Sequence, residues 1–178
     1  MKTRSLFVLL AGAILAAWVS AQGPGAGLAS ERLELLKKNR PLLEDLMDRG
    51  MMVADKNSPL DRADECLNTT NRLARELRSA VYVGDADRIA EVSDLLKQIV
   101  SEAFVPNLTA ARRDIPVESD GYKRMKEIHR QAVADVNSLA EQIPSDGKIG
   151  DITRVRMARE QLTAAAADIG PAPADEKK

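Results

Sequence analysis

A chain of 178 residues that sets 26 Lys and Arg against 27 Asp and Glu lacks the basic excess that nucleic acid or an anionic membrane demands of a main partner. Aromatic residues make up only 3% of it, too few for the stacking platforms that bind single-stranded nucleic acid. Cys66 is the single cysteine, which excludes an internal disulfide framework, a c-type haem motif and a cysteine-built zinc site.

The first segment reads as a secretory signal peptide over residues 1–21. Lys2 and Arg4 form the charged start, residues 6–19 the apolar run, and Val19-Ser20-Ala21 the small-x-small end. At 1.5 Å per residue the run spans about 21 Å, short of the ~30 Å hydrocarbon core, so cleavage after Ala21 is expected rather than anchoring. No cysteine adjoins the cleavage point, so no lipoprotein attachment is expected. Removal takes Lys2 and Arg4 and no acid, moving the net charge from −1 to −3. It also takes Phe7 and Trp18, leaving Tyr82, Phe104 and Tyr122 as the aromatics. The expected location is periplasmic or extracellular. Residues 22–29, rich in Gly with Pro24, read as a flexible leader.

Residues 30–169 read as an all-α domain. The first helix is expected from Ser30, as N-cap, to about Ala54, with Leu33, Leu36, Leu43, Met47 and Val53 as its apolar stripe. Pro41 should kink or split it, because proline removes a donor and crowds the preceding turn. The second helix has Ser58 as cap, Pro59 at the first helical position and Asp61 in the first turn. Ala63, Leu67, Thr70, Leu73, Leu77 and Val81 recur along it at spacings of three and four, and Gly84 ends it.

Asp85 caps the third helix, with Ile89, Val92, Leu96, Ile99 and Ala103 inward. Pro106 should kink it, with a short extension over residues 107–114. The Gly84-Asp85 link is short enough to force an antiparallel hairpin between the second and third helices. Ile115-Pro116-Val117 reads as extended. Ser119 or Asp120 caps the fourth helix, whose seam is Tyr122, Met125, His129, Ala132, Val136, Leu139 and Ile143. After the turn Pro144-Ser145-Asp146-Gly147, Asp151 is the expected cap of a fifth helix that turns Ile152, Val155, Ala158, Leu162, Ala165 and Ile169 to one side. Residues 170–178 read as a disordered tail. Short links between these segments imply an up-and-down antiparallel bundle of four to five helices, with proline kinks in the first and third.

His129 is the one side chain whose ordinary pKa lies near neutrality, and Met125 precedes it by one turn. Met47 and Met51 repeat that spacing on the first helix. Thioether and imidazole together suit Cu(I), so Met47, Met51, Met125 and His129 are the metal candidates. The ordinary reading is that methionine fills a core and a seam histidine packs through a hydrogen bond. As an exported helical bundle with loosely similar polar–apolar spacing from Ser119 to Leu162, the chain resembles the cytochrome b562 family. That family places a haem between a methionine on its first helix and a histidine on its last. Met47 matches the first, but residues 152–169 contain no histidine, so the resemblance does not carry the haem over.

Carboxylates are plentiful at Glu44, Asp45, Asp48, Asp61, Asp64 and Glu65, yet a di-iron bundle needs a Glu-x-x-His motif from each of two helices and there is none. Cys66 and His129 are a formal thiol–base pair, but Cys66 adjoins Leu67 on an apolar stripe, where burial makes a thiol inert. Arg72, Arg75 and Arg78, with Arg112 and Arg113, could receive an acidic partner; interleaved Glu76 marks them as ordinary surface charge. Asn68 and Asn107 head glycosylation sequons on expected helices. The reading is a non-enzymatic interaction or adaptor protein of the cell envelope, without cofactor. It would bind a protein partner through a helix face or self-associate, and it would touch neither nucleic acid nor, after cleavage, the membrane interior. The alternative is a copper or haem carrier of bundle type.

Overall fold

The computed structural model describes residues 26–171, giving the backbone alone for residues 26–32, Leu35, Leu36 and Lys38. The expected signal peptide, most of the leader and residues 172–178 of the tail lie outside the described residues. All regular structure among the described residues is helical: α1 Ala26–Asp55, α2 Pro59–Val83, α3 Ala86–Gln98, a π-helical segment Ile99–Phe104, α4 Val105–Asp114, α5 Asp120–Gln142, the single turn α6 Gly147–Gly150, and α7 Thr153–Ile169. The all-α expectation holds. None of the described helices is long and apolar enough to cross a membrane. Two compact units divide the chain, Met1–Lys56 and Asn57–Lys178.

In the first unit, α1 begins at Ala26, so Ser30 lies inside the helix rather than at its cap. Pro41 also lies inside it, and the expected split does not occur. The expected apolar stripe fails too. Leu33 and Met47 are exposed at 52% and 62%, whereas Val53 is buried. At about 100° per residue these three positions spread over about 160° of the helix, too wide for one face.

The second unit follows its local signals closely. The Asp61 N–H donates to Ser58 Oγ at 3.0 Å, Pro59 opens α2, and Gly84 closes it in the left-handed region at φ 70°. A β-carbon at Gly84 would also crowd Ile149 Cδ1 at 3.3 Å. The Arg88 N–H donates to Asp85 Oδ1 at 3.0 Å, starting α3 at once, so the α2–α3 hairpin forms. Pro106 does not break the helix that follows. Its ring would crowd the carbonyl four residues back and it offers no donor. The chain answers with the wider π turn just upstream, where the Val105 N–H reaches back to the Val100 carbonyl, and α4 continues to Asp114.

Val117 lies in a turn rather than an extended run, closed by the Ser119 N–H on the Pro116 carbonyl at 3.1 Å. Ser119 is the cap of α5, accepting from the Tyr122 N–H at 3.2 Å. Asp151 does not cap α7. It is exposed, its N–H closes α6 onto the Gly147 carbonyl, and Ile152 stands at the cap without a side-chain bond. Gly150 is required where it stands, because a β-carbon there would lie 2.7 Å from the Ser145 carbonyl carbon.

Within the second unit α2, the continuous rod of α3, the π segment and α4, then α5 and α7 alternate in direction, and two pairs run parallel: α2 with α5 and α3 with α7. Arg124 near the start of α5 bonds Asp61 at 2.8 Å and also Asp64, near the start of α2, while Arg78 Nε donates to Gln142 Oε1 at 2.9 Å at their far ends. Likewise Arg154 pairs with Asp87, and Ser101 Oγ donates to Asp168 Oδ2 at 2.9 Å, aligning α3 and the π segment with α7. Most of the expected seam positions point inward: Leu73, Leu77, Ile89, Val92, Leu96, Ala103, Met125, Val136, Leu139 and Leu162 are buried, Val81, Ile99 and Ile152 are half-buried, and Phe104 joins the core in addition. On α7 the buried face is Val155, Ala158, Leu162, Ala165, Ala166 and Ile169, and its alanines let α3 and α5 approach closely.

Ser93, on α3, is fully buried, and its hydroxyl has no hydrogen-bond partner among the described residues. Replacing an unpartnered buried hydroxyl by hydrogen removes a desolvation cost. Ser93→Ala should therefore leave urea stability unchanged or raise it by about 1 kcal/mol, whereas Leu162→Ala should lower it by about 2–5 kcal/mol. A loss of more than about 1 kcal/mol for Ser93→Ala would contradict this accounting of the hydroxyl.

Candidate functional site

The metal candidates split by environment. Met47 and Met51 are exposed on α1 at 62% and 60%, while Met125 and His129 are buried on α5. His129 Nε2 lies 3.1 Å from the Gly170 carbonyl oxygen. A carbonyl only accepts, so Nε2 carries the proton and donates, tying the middle of α5 to the end of α7. Nδ1 is buried and without a hydrogen-bond partner among the described residues. Beside it is a cavity of about 50 Å³, whose lining includes Leu108, Thr109, Arg112, Met125, His129 and Ile169. That is room for water rather than an organic ligand, and the Arg112 guanidinium opposes a cation.

Cys66 and His129 do not form a dyad, since neither ring nitrogen bonds a sulfur. Cys66 is 1% exposed, and burial, reinforced by the charge of Glu65 and eased by Arg62, pushes its thiol up to about 12. Four of the six carboxylates pair with cations, Glu44 with Arg40 at 2.7 Å, Asp45 with Arg49 at 3.2 Å, and Asp61 and Asp64 with Arg124, while Asp48 is exposed. Glu65 is buried and receives the Asn68 amide at 3.4 Å. Among the described residues no group of three His, Cys, Asp or Glu side chains could hold a metal ion.

In the basic stripe Arg72 meets Glu76 at 2.8 Å and Arg78 meets Gln142, while Arg75, Arg78, Arg112 and Arg113 are all exposed. Asn107 has both ends of its amide engaged, accepting from Arg62 Nε at 2.8 Å and donating to the Ala103 carbonyl at 2.8 Å.

Two surfaces escape the seam-based sequence reading. One is an open groove of about 510 Å³ along the outer side of α7, lined in part by Ser145, Arg156, Arg159 and Thr163. The other is a narrow face of α1. Leu33, Lys37, Arg40, Glu44, Met47 and Met51 follow one another at spacings of four, three, four, three and four, and every one is exposed. That spacing keeps them within an arc of about 80°. Met52, beside Met51, is exposed as well at 47%. The signal was present in the sequence, but apolar ends flanking a charged centre do not register as a stripe when only apolar positions are read.

No family model, curated protein or solved structure matches the chain.

Cys66 separates a core role from an interface role. Thiol labelling of the folded chain should be slow and should accelerate in denaturant. Cys66→Ala should cost about 1 kcal/mol through lost packing, and Cys66→Ser more, because a buried hydroxyl would need a partner. The folded thiol titrates near 12 against 9.0 unperturbed, so its contribution is intact below pH 9 and lost as pH rises towards 12. Rapid labelling of the native protein would contradict burial.

Proposed function

We propose that this is an exported, non-enzymatic adaptor of the cell envelope, chaperone-like in that it receives apolar helical segments of other proteins. The observation that carries the reading is the exposed face of α1, with Leu33 at one end and Met47 and Met51 at the other. A helix-in-groove or helix-on-helix contact is read through anchors at three–four spacing, which these positions have. Methionine suits such a role because its unbranched thioether re-packs against differently shaped partners. Export rests on residues 1–21.

A copper or haem carrier is the second reading, and one observation favours it: His129 Nδ1 is buried and unpartnered beside Met125. Stoichiometric Cu(I) uptake or a Soret band in the purified chain would establish it over the adaptor.

The adaptor reading is tested with a photoreactive residue at position 51 and, as control, at position 127, which is exposed on α5. In intact cells position 51 should yield a discrete covalent product with a second envelope protein, and position 127 none. The product should begin at Gln22. Equal products from both positions, or none from position 51, would contradict the binding face; an intact Met1 in soluble cytoplasmic protein would contradict export.

A further inference from the structure

We propose that α1 pairs antiparallel with α1 of a second copy of this chain, along the face formed by Leu33, Lys37, Arg40, Glu44, Met47 and Met51. This rests on the reading of that face as the interaction surface and names an occupant for it. The alternating spacing of four and three averages the 3.5 residues at which two helices stay in register along a shared seam. Along the chain the chemistry runs apolar, basic, basic, acidic, apolar, apolar.

Such an order is complementary to its own reversal. Turning a second copy end for end about the midpoint between Arg40 and Glu44 sets Leu33 opposite Met51, Lys37 opposite Met47, and Arg40 opposite Glu44. Each contact occurs twice, as a two-fold axis requires. A parallel pair would instead oppose Arg40 to Arg40 and Glu44 to Glu44, so charge selects the antiparallel orientation.

The exchange of partners is inexpensive. Arg40 already holds Glu44 of its own helix at 2.7 Å, with the two side chains 76% and 61% exposed. A pair so exposed contributes little, so trading it for the same pair across the axis loses little. Met47 gains the aliphatic stem of Lys37, whose ammonium still reaches water. Leu33 and Met51 close the two ends, about 27 Å apart along the axis. The charged centre lowers affinity and fixes register, as polar residues do at seam positions.

Sedimentation of the chain beginning at Gln22 should show a reversible, concentration-dependent dimer. Arg40→Glu and Glu44→Arg should each weaken it by more than about tenfold, because each places like charges opposite one another. An equimolar mixture of the two variants should restore it, since the mixed pair is again complementary. Leu33→Cys mixed with Met51→Cys should form a disulfide-linked heterodimer, and neither variant should cross-link to itself. Unchanged helical dichroism in each variant confirms that α1 persists. A chain that stays monomeric at every concentration, a dimer indifferent to both charge changes, or Leu33→Cys cross-linking to itself would overturn the pairing. A monomer that still cross-links from position 51 to another protein would overturn the pairing alone and leave the adaptor reading standing.

Discussion

Aliphatic side chains at three–four spacing hold the second unit together, and nearly everything else follows from them. The chain has one cysteine and few rings, so no disulfide or aromatic cluster shares the task. Each fully buried Leu, Ile or Val contributes about 1.5–3 kcal/mol relative to exposure. The polar links between rods, Arg124 to Asp61 and Asp64 and Arg78 to Gln142, lie on the surface, where an ion pair is worth at most about 1 kcal/mol. Their part is to set which ends meet: they join the starts of α2 and α5 and, separately, their finishes. Packing supplies the stability, and charge selects the arrangement.

The same constraint sorts the candidate chemistry. A seam that must be filled draws Met125, His129 and Cys66 inward. The thiol is pushed up by burial, and the imidazole donates to a backbone carbonyl. The unpartnered Ser93 hydroxyl and His129 Nδ1 are the polar remainders of that filling. In the first unit Leu42 and Val53 are buried, while Leu33, Met47 and Met51 share a narrow exposed face with Lys37, Arg40 and Glu44.

Most of the second unit was legible in the sequence because its signals are local. Ser58, Gly84, Asp85 and Ser119 act at their own positions through their own hydrogen bonds or dihedral angles. The seams of α2, α3, α5 and α7 read largely correctly because apolar residues recur along each at three–four spacing, with Val81, Ile99 and Ile152 left half-buried at or near the helix ends. The parallel pairing of α2 with α5 was not legible, since it depends on side chains some sixty positions apart, such as Arg124 and Asp64. The π turn before Pro106 was legible only as an interruption, because the sequence marks the missing donor but not how the ladder relaxes. Asp151 misled by its residue type: a short extra turn intervenes and shifts the start of α7 past it. On α1 the apolar residues lie on more than one face, so their recurrence along the chain does not mark a single buried stripe. The candidate face was invisible because its centre is charged.

Native-state hydrogen exchange of the chain beginning at Gln22 tests most directly whether one interlocked aliphatic core holds residues 57–171. Amides of Leu73, Leu77, Ile89, Leu96, Val136, Leu139 and Leu162 should exchange only through global unfolding, with a single free energy that matches urea denaturation. Core amides of any one of these helices opening several kcal/mol below the rest would contradict a shared core and leave a set of separately held helices instead.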